Sequence, residues 1–275
     1  MKYQHWNLRR PAAPSVRLDL ERAGLPPLCA AVLAARGLEG AGQAAEFLSS
    51  GPERFHDPFL LKDMDRAVAR IRRALDSHEL ICVYGDYDVD GITATCLLTE
   101  ALDGLGGQVT SYIPDRSEEG YGLNPGAISR LARQGVGLIV TVDCGITAAA
   151  EVEFARSLGL DVVITDHHHC KDKLPDAAAV VDPRRDDCPY PFPELAGVGV
   201  ALKTAQALVP PEEREGVFRR FGELAAVGTV ADVMRLTDEN RSLVRQGLEL
   251  LARTERPGLR ALLREAGLEP GAVPT

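Results

Sequence analysis

Three aspartates alternate with other residues in the stretch VYGDYDVDGIT, where they are Asp86, Asp88 and Asp90. Carboxylates this close repel each other, and burying them is costly unless a cation is bound nearby. An acidic residue at a helix start also stabilises the helix dipole, which is the alternative explanation for any one of them. Three aspartates at this spacing, followed by Gly91, favour a cation-binding cluster.

Further carboxylate and imidazole groups follow later apolar segments. Asp143 lies in TVDCGIT, and the sequence DHHH at 166–169 follows DVVIT. Asp232 lies among small apolar residues in FGELAAVGTVADV, where an unpaired carboxylate is unfavourable. Alone, Asp143 is equally typical of a turn or a helix cap, and a single histidine is more often structural. Together these groups suit Mn²⁺, Fe²⁺ or Zn²⁺, and Mg²⁺ accepts the carboxylates.

The number of candidate ligands indicates two ions rather than one. Two divalent ions roughly 3.5–4 Å apart lower the pKa of a bridging water and stabilise an in-line displacement at phosphorus. The residues by themselves therefore predict two-metal hydrolysis of a phosphoester, without specifying the substrate.

Alternating strands and helices must position these residues. Strands apolar on both faces, separated by helices, predict an α/β fold with a parallel sheet covered by helices on both faces. The functional crevice of such a sheet lies beyond the carboxyl ends of its strands. Because four of the five predicted strands end in polar or acidic residues, we expect those residues to meet at one edge. The predicted strands are ELICVYG, QVTSYIP, GLIVTVD, DVVITD and AAAVVD.

Helices are predicted between the strands and on both sides of the sheet region. An amphipathic helix is expected over 62–77, and two helical segments are expected within 1–56. After residue 205 the pattern is all helical. The expected helices from the first aspartate cluster onward are GITATCLLTEALDGLG, NPGAISRLARQG, TAAAEVEFARSLG, VGVALKTAQALV, FGELAAVGTVADV, ENRSLVRQGLELLART and PGLRALLREAG.

Composition narrows the class of protein. The 275 residues carry a formal net charge of -9, which disfavours nucleic-acid binding unless acidic residues bind metal ions. The six cysteines form no CxxC pair, so we expect reduced thiols, mostly in the core. No apolar segment approaches the roughly 20 residues of a membrane span, and the first residues lack a signal core. These features predict a cytoplasmic protein without membrane contact.

The motifs GDYDVDG, TVDCG, DHHH and GTVADV, in that order, resemble the DHH phosphoesterase family. The segments YIPDRSEEGYGLN, VVDPRRDDCPYP and LAGVGVALK are similar to one branch, the RecJ-type exonucleases. The resemblance extends from about Asp63 to Asn240. It implies hydrolysis of single-stranded DNA from the 5′ end to mononucleotides, in DNA repair and recombination. It also implies two Mn²⁺ or Mg²⁺ ions, with single-strand-binding protein and recombination helicases as protein partners.

The same resemblance implies a role for each metal-site residue. Asp88 would bind the first metal and Asp90 the second, and Asp143 would bridge both. His167 and Asp232 would complete the ligand set of the second metal.

Other assignments are substrate contacts or departures from the family. His168 would lie beside the scissile phosphate or support the metal ligands. Arg116 follows a strand end, so it is either a bidentate phosphate ligand or a solvated surface residue. Family members often place a histidine where this chain has Tyr84, and Asp86 is the expected replacement ligand.

Three parts are predicted along the chain. Residues 1–56 form an N-terminal helical extension, residues 57–236 the catalytic DHH domain, and residues 237–275 a helical linker. RecJ-like proteins normally continue into a second domain with a glycine- and histidine-rich substrate motif, which is not found here. We therefore expect this chain to be the catalytic part of a longer protein.

Two other functions compete with the exonuclease hypothesis. One is a DHH phosphoesterase for short oligonucleotides, cyclic dinucleotides or pyrophosphate, against which the RecJ-like segments count. The other is a scaffold that retains the fold without activity, against which the complete set of candidate ligands counts.

Overall fold

The computed structural model describes residues 13–49, 55–171 and 173–268. All five predicted strands are present and form one parallel sheet in the order β2-β1-β3-β4-β5. The predicted α/β fold is therefore confirmed. The strands are β1 (Leu80–Tyr84), β2 (Gln108–Tyr112), β3 (Val136–Val142), β4 (Asp161–Thr165) and β5 (Ala179–Val181).

The register of the sheet brings the ends of four strands level. Tyr84 of β1 pairs with Thr141 of β3. Thr165 of β4 pairs with Val142 of β3 on one side and with Val181 of β5 on the other. The residues that follow these strands therefore emerge along the same edge. The expectation that the polar clusters meet at this edge is confirmed.

Helices cover both faces of the sheet, as predicted. Because successive side chains of a strand point to opposite faces, Ile81 and Val83 pack in one core while Cys82 and Tyr84 pack in the other. β2 departs from the pattern, because it is an edge strand and is only half-buried. The helices are α1 (Pro14–Arg22), α2 (Pro27–Ala35), α3 (Ala41–Leu48), α4 (Met64–Asp76), α5 (Val89–Gly104), α6 (Pro125–Arg133), α7 (Ala149–Ser157), α8 (Gly197–Ala207), α9 (Arg214–Ala231), α10 (Asp238–Leu251) and α11 (Pro257–Glu265).

The helices differ from the sequence prediction in two places: one begins earlier than predicted, and one was not predicted. α9 begins at Arg214, seven positions before the apolar segment that predicted it, because its first turns are polar and face solvent. α1 was not expected, since its sequence PSVRLDLER has little apolar periodicity. Its one buried side chain is Leu20, which belongs to a small core with residues of α2 and α3.

The chain forms two compact units, residues 1–51 and 52–275. The first unit contains α1 to α3, and the second contains the sheet with the remaining helices. The division predicted from sequence, at 56 and 236, remains a prediction, and parts of its end segments lie outside the described residues.

Two expectations from composition can be compared with the structure. Among the described residues, no helix is long and apolar enough to cross a membrane. All six cysteines are free, as predicted, but Cys29 and Cys96 are exposed rather than in the core.

Candidate metal centre

The first aspartate cluster is positioned by a tight turn into a helix. β1 ends at Tyr84, and Asp88 is the N-cap of α5, where its side chain accepts a hydrogen bond from the Gly91 N–H at 2.9 Å. Asp86 is buried in the connecting loop, and Asp90 is buried in the first turn of α5. Capping thus explains part of the role of Asp88. The turn, rather than alternation along a strand, brings these aspartates together.

Asp143 follows β3 with a left-handed backbone, at a φ of 60°. This conformation is uncommon for residues other than glycine. Its buried carboxyl group is packed directly against the start of α8. A Cβ atom on Gly197 would lie 2.5 Å from the Cβ of Asp143. Any residue larger than glycine at position 197 would therefore displace the Asp143 side chain.

His167 lies at the centre of the cluster. Its Nε2 atom is 3.0 Å from Oδ1 of Asp143 and 3.7 Å from a carboxylate oxygen of both Asp90 and Asp232. The geometry of the 3.0 Å contact is not that of a hydrogen bond, since both atoms are without a hydrogen-bond partner among the described residues. The ring of His167 is almost completely buried. One nitrogen of a buried imidazole therefore faces three carboxylates.

Three sets of potential ligand atoms lie within 4.8 Å of one another, and they overlap. One set contains Asp90, His167 and Asp232, which the resemblance assigns to the second metal. Another contains Asp88 and Asp143, assigned to the first metal, with Asp86, the expected replacement ligand. Asp143 and His167 each belong to two sets. The sets are Asp86 with Asp88 and Asp143, Asp90 with His167 and Asp232, and Asp143 with His167 and His168. The individual ligand roles remain predictions.

His168 is held at the rim of the cluster by Asp166. Its Nδ1 atom donates to Oδ1 of Asp166 at 2.8 Å, and its side chain is 45% exposed. The buried Asp166 carboxylate also accepts backbone N–H groups of Ile146 and His167. The hydroxyl of Tyr121 lies 3.3 Å from the same His168 nitrogen. Because Nδ1 is engaged, Nε2 is the nitrogen of His168 that can act on a substrate.

Asp90 is fixed from a distant part of the chain. Its two carboxylate oxygens accept the backbone N–H groups of Gly197 at 2.7 Å and Val198 at 2.8 Å. These N–H groups begin α8, and a helix N-terminus favours a negative charge. The sequence predicts a helix in this segment, but no sequence pattern indicates its contact with Asp90.

The apolar neighbours of Asp232 predicted that it lies within a buried helix, and this prediction is wrong. Asp232 is the C-cap of α9, and its side chain is 28% exposed. The carbonyl end of a helix carries partial negative charge, so a carboxylate is unfavourable there. A cation bound nearby would offset this unfavourable interaction with the helix dipole.

The electrostatics of the cluster also favour binding of a cation. Burial, followed by repulsion from Asp88 and Asp166, raises the pKa of Asp143 to about 9. Burial raises the pKa of Asp90 as well, with Asp143 the next cause. The pKa of Asp86 is raised by burial and by Asp88. Hydrogen bonding to Asp166 raises the pKa of His168 to about 9, which favours its cationic form.

Arg116 and Tyr84, two further positions named from the sequence, differ in burial. Arg116 is exposed, and its guanidinium lies 5.2 Å from the centre of the ring of Tyr87, between the first two cluster aspartates. Tyr84 is fully buried in the core, where its hydroxyl donates to the carbonyl of Gly122 at 2.9 Å. Tyr84 therefore has a structural role, and the role of Asp86 as its replacement ligand remains a prediction.

The donor atoms present fit divalent metal ions. Oδ1 of Asp86, Oδ1 of Asp143 and both ring nitrogens of His167 are buried without a hydrogen-bond partner among the described residues. Buried polar atoms in native proteins are almost always satisfied, so such a group needs an explanation. Carboxylate oxygens with imidazole nitrogen match the ligand preference of Mn²⁺, and Mg²⁺ accepts the carboxylates.

Comparison with known proteins gives consistent matches. Residues 80–229 match the N-terminal domain of the DHH family. The single-stranded-DNA-specific exonuclease RecJ of Bacillus subtilis is 45% identical over 268 residues, or 97% of this chain and 33% of that protein. The corresponding Escherichia coli exonuclease is 38% identical over 278 residues, or 97% of this chain and 47% of that protein. This chain thus spans between a third and a half of the length of these relatives.

A solved structure shows the same fold with a metal ion. RecJ from Thermus thermophilus in complex with Mn²⁺ superposes with a TM-score of 0.75 at 30% identity. The match covers 96% of this chain and 38% of that one.

Proposed function

The chain belongs to the DHH family, and from this premise we propose that it is the catalytic part of an exonuclease specific for single-stranded DNA. The observation that carries the proposal is the overlap of the ligand sets around Asp143 and His167. These residues follow the adjacent strands β3 and β4, and Oδ1 of Asp143 lies 3.0 Å from Nε2 of His167. The alternative scaffold function is disfavoured because every expected ligand residue lies in the cluster.

Six residues would hold two Mn²⁺ or Mg²⁺ ions. Asp86, Asp88 and Asp143 would hold one ion, while Asp90, His167 and Asp232 would hold the other. Asp143 would contribute to both, since its Oδ1 lies 3.0 Å from Nε2 of His167. When bound, two such ions lower the pKa of a water and stabilise the charge that develops on phosphate oxygens. The relatives of known structure include RecJ proteins with Mn²⁺ and with Mg²⁺, which supports this choice of metal.

The remaining residues at the rim would bind and orient the substrate. His168 is fixed through Nδ1 by Asp166, so Nε2–H can donate to an oxygen of the scissile phosphate. Arg116 would contact a phosphate of the strand with two parallel N–H groups, as guanidinium geometry allows. Its stacking on Tyr87 keeps it near the first aspartates.

The substrate and the polarity are taken from the relatives. Both curated relatives described above are named single-stranded-DNA-specific exonucleases, which supports a DNA strand over a small phosphoester. We infer cleavage from the 5′ end with release of mononucleotides, and a cytoplasmic location. Single-strand-binding protein and recombination helicases are the expected protein partners.

The test is replacement of Asp143 by alanine in an assay with 5′-labelled single-stranded DNA and Mn²⁺. Because removing a supporting residue alone costs about 10–100-fold, loss of a bridging ligand should reduce mononucleotide release at least about 100-fold. Asp103→Asn, an exposed substitution on the same protein, is the matched control and should leave the rate unchanged.

Undiminished release by Asp143→Ala would overturn the proposal. Parallel assays with pyrophosphate and short oligonucleotides test the small-substrate alternative. Faster turnover of these than of long single strands would favour that alternative.

A further inference from the structure

We propose that Asp182 is a positioning residue for His167. In this proposal its carboxylate accepts the Nδ1–H of His167 through one bridging water, and so directs Nε2 toward the metal ions. The inference rests on the proposed function, because it assigns His167 as a metal ligand. Asp182 belongs to none of the ligand sets described above.

His167 needs a hydrogen-bond acceptor on one side of its ring. Nε2 faces Asp143, Asp90 and Asp232, so this nitrogen is the one available to a metal. Nδ1 is buried and has no hydrogen-bond partner among the described residues. A neutral imidazole that binds a metal through Nε2 carries its proton on Nδ1. Leaving that N–H unpaired in the interior is costly.

Asp182 has a buried carboxylate oxygen that lacks a hydrogen-bond donor. It is completely buried directly after β5, and Oδ1 accepts the backbone N–H of Arg184 at 2.7 Å. Oδ2 is buried without a hydrogen-bond partner among the described residues. Asp182 thus has one unused acceptor at the same sheet edge where His167 has one unused donor.

The sheet places the two residues next to each other. Thr165 of β4 pairs with Val181 of β5, and the N–H of Asp166 donates to the carbonyl of Val181. Asp182 is therefore level with Asp166, one position before His167. His167 also lowers the pKa of the Asp182 carboxyl by electrostatic attraction, although burial is the larger effect and raises it.

Asp166, the carboxylate directly before His167 in the sequence, already has hydrogen-bond partners on both oxygens. It accepts the N–H of Ile146, the N–H groups of His167 and His168, and Nδ1 of His168. Asp86 and Asp143 also have an unpaired buried oxygen, but both are assigned to the metal ions, so Asp182 is the remaining carboxylate of the described residues with such an oxygen. Metal-binding histidines usually donate their second nitrogen to a carboxylate or carbonyl, which fixes the ring and increases ligand basicity.

The test measures Mn²⁺ affinity of the full chain by electron paramagnetic resonance of the free ion. Asp182→Ala should weaken Mn²⁺ binding by about 10–100-fold, the usual effect of removing such a support. Asp182→Asn keeps one oxygen acceptor of the same size and should retain most of the affinity. Asp186→Ala, at an exposed position in the following turn, is the matched control and should bind like the wild type.

Nuclear magnetic resonance of the imidazole protons tests the positioning role directly. The wild type with Mg²⁺ should show a slowly exchanging, downfield Nδ1–H of His167, assigned by its loss in His167→Gln. Asp182→Asn should shift this signal and Asp182→Ala should abolish it. If Asp182→Ala does not fold, the wild-type signal and the Asp182→Asn shift still decide the question.

The outcomes separate this inference from the proposed function. Absence of Mn²⁺ binding by the wild type would overturn the proposed function itself. Normal Mn²⁺ binding by the wild type, with the same affinity and the same His167 proton signal in the Asp182 variants, would overturn only the role of Asp182.

Discussion

Asp143 combines two features that are unfavourable in the absence of a cation. Its backbone has a φ of 60°, and its buried carboxyl group has a pKa raised to about 9 by burial and by Asp88. Asparagine has the same shape, carries no charge and tolerates the left-handed conformation well. Both features lower the stability of the metal-free protein, while the buried carboxylate suits a metal ligand.

This conflict predicts opposite effects of Asp143→Asn with and without metal. In EDTA at pH 7 the variant should be more stable to urea than the wild type by at least about 1 kcal/mol, because the wild-type carboxyl, whose pKa burial raises to about 9, must take up a proton on folding. In Mn²⁺ at about 100 times the dissociation constant, the wild type should gain roughly 2.7 kcal/mol and the variant much less. Asp103→Asn should change neither value. A wild type that is already the more stable protein in EDTA would contradict this account.

At the scale of the elements, the end of α9 shows a similar conflict. Val233 follows the C-cap Asp232 with a φ of 58° and is 87% exposed. Its N–H donates to the carbonyl of Val230, and the next N–H donates to the carbonyl of Thr229. This is a helix ending in which glycine or asparagine is usual. A β-branched residue there is strained, and little burial compensates for it.

Val233→Asn should therefore stabilise the protein by up to about 1 kcal/mol, because asparagine enters the left-handed region more easily. For a protein of this size, that gain raises the melting temperature by about 2–4 °C. The matched control is Val230→Asn, an exposed valine within the same helix, which should not stabilise. Equal effects of the two substitutions would show that the backbone of Val233 is not the cause.

The local parts of the site were predictable from sequence, and the long-range parts were not. Asp86, Asp143 and Asp166 follow buried apolar strands, and the parallel topology places strand ends at one edge. By contrast, Asp90 is held by N–H groups of α8, 107 positions away in sequence. The contact of Tyr121 with His168 and the C-cap position of Asp232 likewise depend on tertiary packing. No local pattern encodes such contacts, so only the structure shows them.

A buried ion pair joins two helices of the larger unit, and its lysine also binds the segment before α4. Nζ of Lys203 in α8 lies 2.7 Å from Oε2 of Glu239 in α10, and both side chains are buried. Lys203 also donates to the carbonyl of His56, and Tyr190 donates to Oε1 of Glu239. Burial lowers the pKa of Lys203, and the attraction of Glu239 opposes this effect.

Removing one partner of this pair should affect stability but not the metal centre. Lys203→Met leaves Glu239 buried and uncompensated, so it should cost about 3–5 kcal/mol in urea unfolding. The double variant Lys203→Met with Glu239→Gln should recover part of that loss. Lys203 lies six residues from Gly197, about 9 Å along the helix axis, so Mn²⁺ affinity should be unchanged. A parallel loss of affinity would show that the two regions are coupled.

We propose that carboxylates and an imidazole at one edge of the sheet hold divalent ions. The most direct measurement is anomalous scattering at the manganese edge from crystals of the full chain grown with saturating Mn²⁺. We expect strong peaks adjoining both Asp143 and His167, and their loss in Asp143→Ala. Crystals that diffract well but show no peak beside these two residues would contradict it.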